Sequence, residues 1–392
     1  MTGAGVASKK HKMSRQTIFL PRMTSEPAIP MGVRMRNAFF SSSITGRDPT
    51  TGALGDGAEK QFDLAFRNMR TLIEQAGLTI DDIAHVSVFI GEASGRQLIN
   101  TPWLQTFPDE HNRPARKTTT YPLPEGVHVQ LQALALAEAG RRPLEISGLA
   151  HRDPLPMGAK AGNLVFSSVI GGQDPKTNKQ VAGTAQQMEQ AFQNMRALVE
   201  QAGGTTDDIA LVWVFLRDKS DQPAMIDAWL RMFPRDGDRP ARKTIMYDEL
   251  KGRETLVQLQ FVAVLGAKRR NFEIPGVGHH DPIPMGASVG NRFYSSGIGG
   301  YDAQTGKQAE TLERQAELAF INLRALMAQA GGALNSVAHL TVLLRDYRAH
   351  GIVMKNLLET IPDKDKRPAC HEMALGLPGA NLIQLHAAGV LE

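Results

Sequence analysis

The segment RPARKT occurs twice in this chain, setting Arg116 beside Lys117 and Arg242 beside Lys243, and a third version, RPACHE, puts the only cysteine, Cys370, at the arginine's position. In an extended segment side chains alternate between faces, so Arg116 shares a face with Thr118, Arg242 with Thr244 and Cys370 with Glu372, while Lys117 and His371 point the other way. A guanidinium matches a carboxylate through two parallel hydrogen bonds, which makes Arg116 and Arg242 candidate anchors for a small acid. The plainer reading is an ion pair at a surface or interface. The third segment offers different chemistry, with Cys370 as a nucleophile or Glu372 as a general base. Its plainer reading is a buried, inert cysteine, because a neighbouring acid raises a thiol's pKa. His151 with Asp153, and His279 and His280 with Asp281, form His-x-Asp pairs that read as loop charge pairs rather than a metal site. The matching stretch near the start of the chain has Thr24 and Glu26, and no Cys/His cluster has structural-zinc spacing.

These segments recur because the whole chain does. Phe66, Phe192 and Phe320 sit in NMRTLIEQAG, NMRALVEQAG and NLRALMAQAG, spaced by 126 and then 128 residues, and PMG returns at Met31, Met157 and Met285 with the same spacing. A period this long marks a whole domain rather than a solenoid unit. Three fused copies of one small fold are expected, over residues 14–140, 141–268 and 269–392, behind a disordered tail at 1–13. Within a copy, a short extended segment precedes PMG. A hairpin follows, with turn chemistry at Asp48 to Gly52 and Asp174 to Asn178. Phe62, Phe66, Met69, Leu72, Ile73 and Ala76 then step at helical spacing up to Gly77, a C-terminal cap. After a strand such as HVSVFI, a second helix is expected around Pro102 to Phe107, Ala228 to Phe233 and Asn356 to Ile361, before a final pair of strands, RKTTTY with VHVQLQALA. Each copy is thus an α+β unit whose helices cover one sheet face, and three copies closing about a pseudo-threefold axis would bury the uncovered faces.

Hydrophobic content of 42% with 21% charged residues is ordinary globular composition, without an apolar run long enough for a membrane span. A single cysteine excludes an intrachain disulfide and suggests a reducing, cytoplasmic setting. The net charge of +4 is mild, and its one dense run, Lys9, Lys10, Lys12 and Arg15, reads as a solvated tail, with Met13 an alternative start. No strand face interleaves aromatic and basic residues, which points away from nucleic acid.

The run GNRFYSSGIGGYDAQTG, the NMRALVEQAG helix, the NRPARKT strand and the closing VQLQALALA strand together resemble the reactive-intermediate deaminase (YjgF) family, in three passes over nearly the whole chain. The resemblance implies a chorismate-mutase-like fold, normally a homotrimer with clefts between subunits, so the chain looks like that trimer fused into a single-chain pseudotrimer, as a monomer or a dimer of chains. It also implies hydrolysis of small enamines or imines without a cofactor or metal, releasing ammonia and a keto acid. In the family an arginine grips the substrate carboxylate, a place held here by Arg116 and Arg242 but by Cys370 in copy three. The residue two further on is Thr118, Thr244 or Glu372. The hairpin serine is Ser42, Ser168 or Ser296. The helix asparagine is Asn100 alone, with Ile226 and Met354 elsewhere. The family's catalytic glutamate is replaced by Gln130, Gln258 and Gln384, none of which can be a general base, although Gln130 can orient a water and the others can bind a polar group. The expected function is therefore hydrolysis, deamination or tautomerisation of a small carboxylate-bearing enamine, imine or amide in the clefts, against a non-catalytic binding or scaffold role and, more weakly, RNA binding or cleavage.

Overall fold

The computed structural model of the chain describes residues 15–392, so the tail at 1–13 with Lys9, Lys10, Lys12 and Met13 lies outside the described residues. Copy one runs β1 (Arg15–Ile18), β2 (Gly32–Met35), β3 (Ala38–Ser41), β4 (Ile44–Thr45), α1 (Gly57–Gln75), β5 (Ile83–Ile90), α2 (Asn100–Thr106), β6 (Ala115–Thr120) and β7 (Val129–Leu136). The sheet order is β1-β2-β3-β7-β5-β6, with β4 also on β7, and only β5 and β6 pair in parallel. The other two copies repeat this sheet, their helices being α3 (Thr184–Gln201), α4 (Gln222–Met232), α5 (Leu312–Gln329) and α6 (His350–Thr360). None of the helices among the described residues is long and apolar enough to cross a membrane.

The α1 stripe behaves as its spacing requires: Phe62, Phe66, Met69, Leu72 and Ile73 are buried against one face of the sheet, and Gly77 leaves the helix at φ +67°. Two expectations need correction. The strands RKTTTY and VHVQLQALA are not neighbours, because β5 lies between β6 and β7 and pairs with both. The second helices start earlier than their apolar residues suggest, at Asn100, Gln222 and His350, since polar first turns carry no stripe to read.

The faces that the helices leave bare meet one another. Val33, Phe40 and Leu136 of copy one share a core with Ala159, Phe166 and Val264 of copy two and Val289, Tyr294 and Val390 of copy three, so the pseudo-threefold assembles within one chain. Alanines at equivalent positions, Ala115, Ala241 and Ala369, let the sheets approach closely there. Each copy's first strand opens with an arginine that donates to backbone carbonyls of the preceding copy. Arg141 reaches Ile80 O at 3.0 Å and Asn112 O at 2.8 Å, and Arg269 reaches Ile209 O at 2.6 Å. Arg15 closes the ring by donating to Val337 O at 3.0 Å and Arg367 O at 2.6 Å of copy three. Arg15 therefore does not belong to a solvated tail. Desolvation on burial lowers its pKa to about 10.

Candidate functional site

Each cleft is built by two copies. One supplies β6 or its equivalents, Ala241–Met246 and Ala369–Ala374. The next supplies the hairpin serine and the loop before PMG. Arg116 N donates to Ser168 Oγ at 3.0 Å, Arg242 N to Ser296 Oγ at 3.1 Å, and Cys370 N to Ser42 Oγ at 2.7 Å. Ser42 Oγ in turn donates to Pro30 O at 2.6 Å. The three serines thus join copy to copy across the clefts.

In clefts one and two the arginine already holds a carboxylate, and it comes from the protein. Arg116 is 2% exposed, and its Nη2 lies 3.1 Å from Asp153 Oδ2 and donates to Asn100 Oδ1 at 3.2 Å. Asn100 completes the triangle by donating to Asp153 Oδ1 at 3.2 Å. Arg242 pairs in the same way with Asp281, which also accepts from Gln222 Nε2 at 3.2 Å. Each guanidinium stacks over an indole, Arg116 over Trp103 and Arg242 over Trp229, both at 4.7 Å. Burial pulls both arginines down to about 10, partly offset by the aspartates, so they stay cationic at neutral pH. Their Nε and Nη1 atoms are buried without a partner, as is Thr244 Oγ1. The aspartates therefore pair with arginines of the neighbouring copy rather than with His151 or His279, which burial lowers to about 4 and keeps neutral.

Ile226 and Met354 stand at the position of Asn100 in copies two and three and bring no amide there. Gln222 and His350, one helical turn earlier on the same face, fill that place in copies two and three. The sequence did carry a signal for the indoles. Trp103 and Trp229 share the repeat's spacing, and the third copy has Leu357 there, so the tryptophan is lost together with the arginine it covers.

The third cleft differs in kind. It is a cavity of about 360 Å³ whose walls include Ser42, Gln130, Tyr347, His350, Cys370 and Glu372. His350 donates through Nδ1 to Glu372 Oε2 at 2.7 Å and through Nε2 to Glu26 Oε1 at 2.9 Å. Hydrogen bonding to Glu372 raises the histidine to about 9, the two carboxylate charges outweighing partial burial, so an imidazolium stands between two carboxylates. Glu372 Oε1 is buried without a partner. Cys370 loses its case as a nucleophile: burial, and then the charge of Glu372, hold its pKa far above the thiol range, and its Sγ donates to Pro368 O at 3.7 Å. The side-chain oxygens of Gln130, Gln258 and Gln384 are all held by other side chains. Gln130 Oε1 accepts from Tyr121 Oη at 3.2 Å and lies 3.3 Å from His371 Nε2, while Gln258 Oε1 accepts from Lys117 Nζ at 2.8 Å and Gln384 Oε1 from Lys243 Nζ. Among the described residues no three His, Cys, Asp or Glu side chains gather as a metal site.

Residues 26–137, 149–265 and 284–376 each match the model of the family described as Endoribonuclease L-PSP. The chain is 32% identical over 113 residues to a 2-iminobutanoate/2-iminopropanoate deaminase of Dermatophagoides farinae, a match covering 29% of this chain and 86% of the relative. It is 29% identical over 108 residues to a protein of the same description from Salmonella typhimurium, covering 27% of this chain and 84% of that one. Among solved structures, RidA from the Antarctic bacterium Psychrobacter sp. PAMC 21119 is 25% identical, covering 32% of this chain and 99% of its own, with a TM-score of 0.30.

Proposed function

The chain belongs to the Endoribonuclease L-PSP family in each of its three copies, and from that premise we propose that it is a cofactor-independent hydrolase that deaminates a small imine or enamine, with the third cleft as the reacting one. The observation that carries the reading is His350 held between Glu372 and Glu26 in an open cavity. One imidazolium and two carboxylates leave that cleft with a net negative charge, which favours a cationic iminium over a neutral imine. Glu372 Oε1, which has no partner, is the base that takes a proton from an attacking water as its oxygen bonds to the imine carbon. The C=N electron pair goes to nitrogen, which is protonated from the His350 pair. Collapse of the carbinolamine returns its hydroxyl proton to His350 as the C=O bond forms and the C–N bond breaks, releasing ammonia and a carbonyl compound, and Glu372 gives its proton to solvent. Relatives named for 2-iminobutanoate and 2-iminopropanoate support a C=N substrate. A substrate carboxylate meets an arginine only in clefts one and two, where it has to displace Asp153 or Asp281. That displacement favours a binding role for those two clefts.

The test is ammonia release from imines generated in situ. Glu372→Gln and His350→Gln should each lower the rate roughly 100- to 10,000-fold, the usual contribution of a positioned acid or base. Arg116→Ala and Arg242→Ala should leave it within a few-fold. The opposite pattern would move the reaction to the arginine clefts, and a wild-type rate equal to that of buffer would leave only binding.

A further inference from the structure

The three copies also enclose a chamber on the pseudo-threefold axis, separate from the clefts. Its volume is about 150 Å³, and it opens toward a vestibule of about 520 Å³ at one end of the axis. The two spaces share three residues, Thr119, Ile245 and Met373, which occupy equivalent positions in the three copies and form a ring between them.

Tyr294 aside, the ionisable groups that line the chamber are all bases, and burial keeps its histidines neutral. Lys117 and four histidines, His85, His339, His371 and His386, face it, and no aspartate or glutamate lines it. Lys117 Nζ is satisfied only by neutral groups, donating to Gln258 Oε1 at 2.8 Å and lying 4.2 Å from the centre of the Phe215 ring. Three of the histidines have partners. Gln260 Nε2 donates to His85 Nε2 at 2.7 Å, Gln132 meets His339, and His371 Nε2 lies 2.8 Å from Tyr121 Oη. His386 has none. It is 5% exposed, both ring nitrogens are buried and unpartnered, and its ring lies 5.2 Å from that of Trp213. Buried polar groups ordinarily have a hydrogen-bond partner, and His386 lacks one on either ring nitrogen. Burial lowers Lys117 to about 7, and Lys243 adds to the depression of His386, so a negative charge placed here would relieve both.

We propose that the axial chamber is a binding site for a small monocarboxylate with an apolar body, its carboxylate meeting Lys117 and His386 and its body lying against Trp213 and Phe166. Aromatic walls argue against a strongly hydrated inorganic anion, and the volume admits a ligand of about six heavy atoms. Entry runs from the vestibule past the ring of Thr119, Ile245 and Met373.

Isobutyrate is the probe, with isobutyramide as its neutral isostere and inorganic phosphate as a hydrated anion, followed by calorimetry and tryptophan fluorescence on the full chain. Isobutyrate should bind and change the fluorescence, the change should vanish in Trp213→Phe, and Lys117→Met and His386→Phe should each weaken binding at least ten-fold. Arg116→Ala, Arg242→Ala and Glu372→Gln, which alter the clefts, should leave it unchanged. Equal binding of isobutyramide, binding lost in the arginine variants instead, no binding by the parent chain, or parental affinity in the chamber variants that circular dichroism shows to be folded would overturn the proposal. If one chamber variant fails to fold, the other still decides.

Discussion

Asp153 gives Arg116 the same group that an acidic ligand would bring, at 3.1 Å and with Asn100 bridging the two. The aspartate side chain is 46% exposed while the guanidinium is 1% exposed, so the anion is the mobile partner. Asp153→Asn keeps the shape and removes the charge. It should raise the affinity of cleft one for acetate at least ten-fold by calorimetry, because a buried cation then needs an external anion. In cleft three, His350 gains proton affinity on folding. Its pairing stabilises the protein fully below the unfolded value of 6.5 and is lost as the pH rises through about 9. The denaturant midpoint should therefore fall between pH 6.5 and 9 in the wild type, with that part of the fall missing in His350→Gln. Arg116, Arg242 and Glu372 were legible because each lies in a repeated motif and strand alternation gives its face. The pairing of the arginines with Asp153 and Asp281, and of Glu26 with the same His350 that holds Glu372, was not, because each of these carboxylates comes from another copy, and a charge pair across an interface leaves no local spacing in the sequence.

Among the elements, the long helix of each copy is fixed to its hairpin by one asparagine. Asn68 donates to Thr45 O and Arg47 O, Asn194 to Gly171 O and Gln173 O, and Asn322 to Gly299 O and Tyr301 O, all between 2.8 and 3.0 Å. The asparagine opens the repeated NMR or NLR motif, so its recurrence reports a helix-to-hairpin clamp. Asn322→Ala strands two carbonyls and should lower stability by about 1–3 kcal/mol in denaturant unfolding, with the third cleft's ligands retained. The helix stripes, the strands and the repeat could be read from sequence, since apolar periodicity depends only on which face is buried. The place of β5 between β6 and β7 could not, because register between strands distant in sequence is decided by tertiary packing.

For the whole molecule, the shared core of three sheet faces and the Arg15 contacts with copy three predict that light scattering gives the mass of one chain, or of two joined by another surface. A homotrimer in which each copy pairs only with its counterparts would contradict this. Arg15→Ala, which leaves buried carbonyls of copy three without their donor, should cost about 1–3 kcal/mol and loosen the third cleft before the other two. That cleft joins the two ends of the chain: Ser42 accepts from Cys370 across 328 residues of sequence. A site shared between separate subunits dissolves on dilution, since its assembly follows mass action. Here covalent linkage fixes the local concentration of one half at the other, so the cleft remains whole at dilutions that would scatter three independent chains.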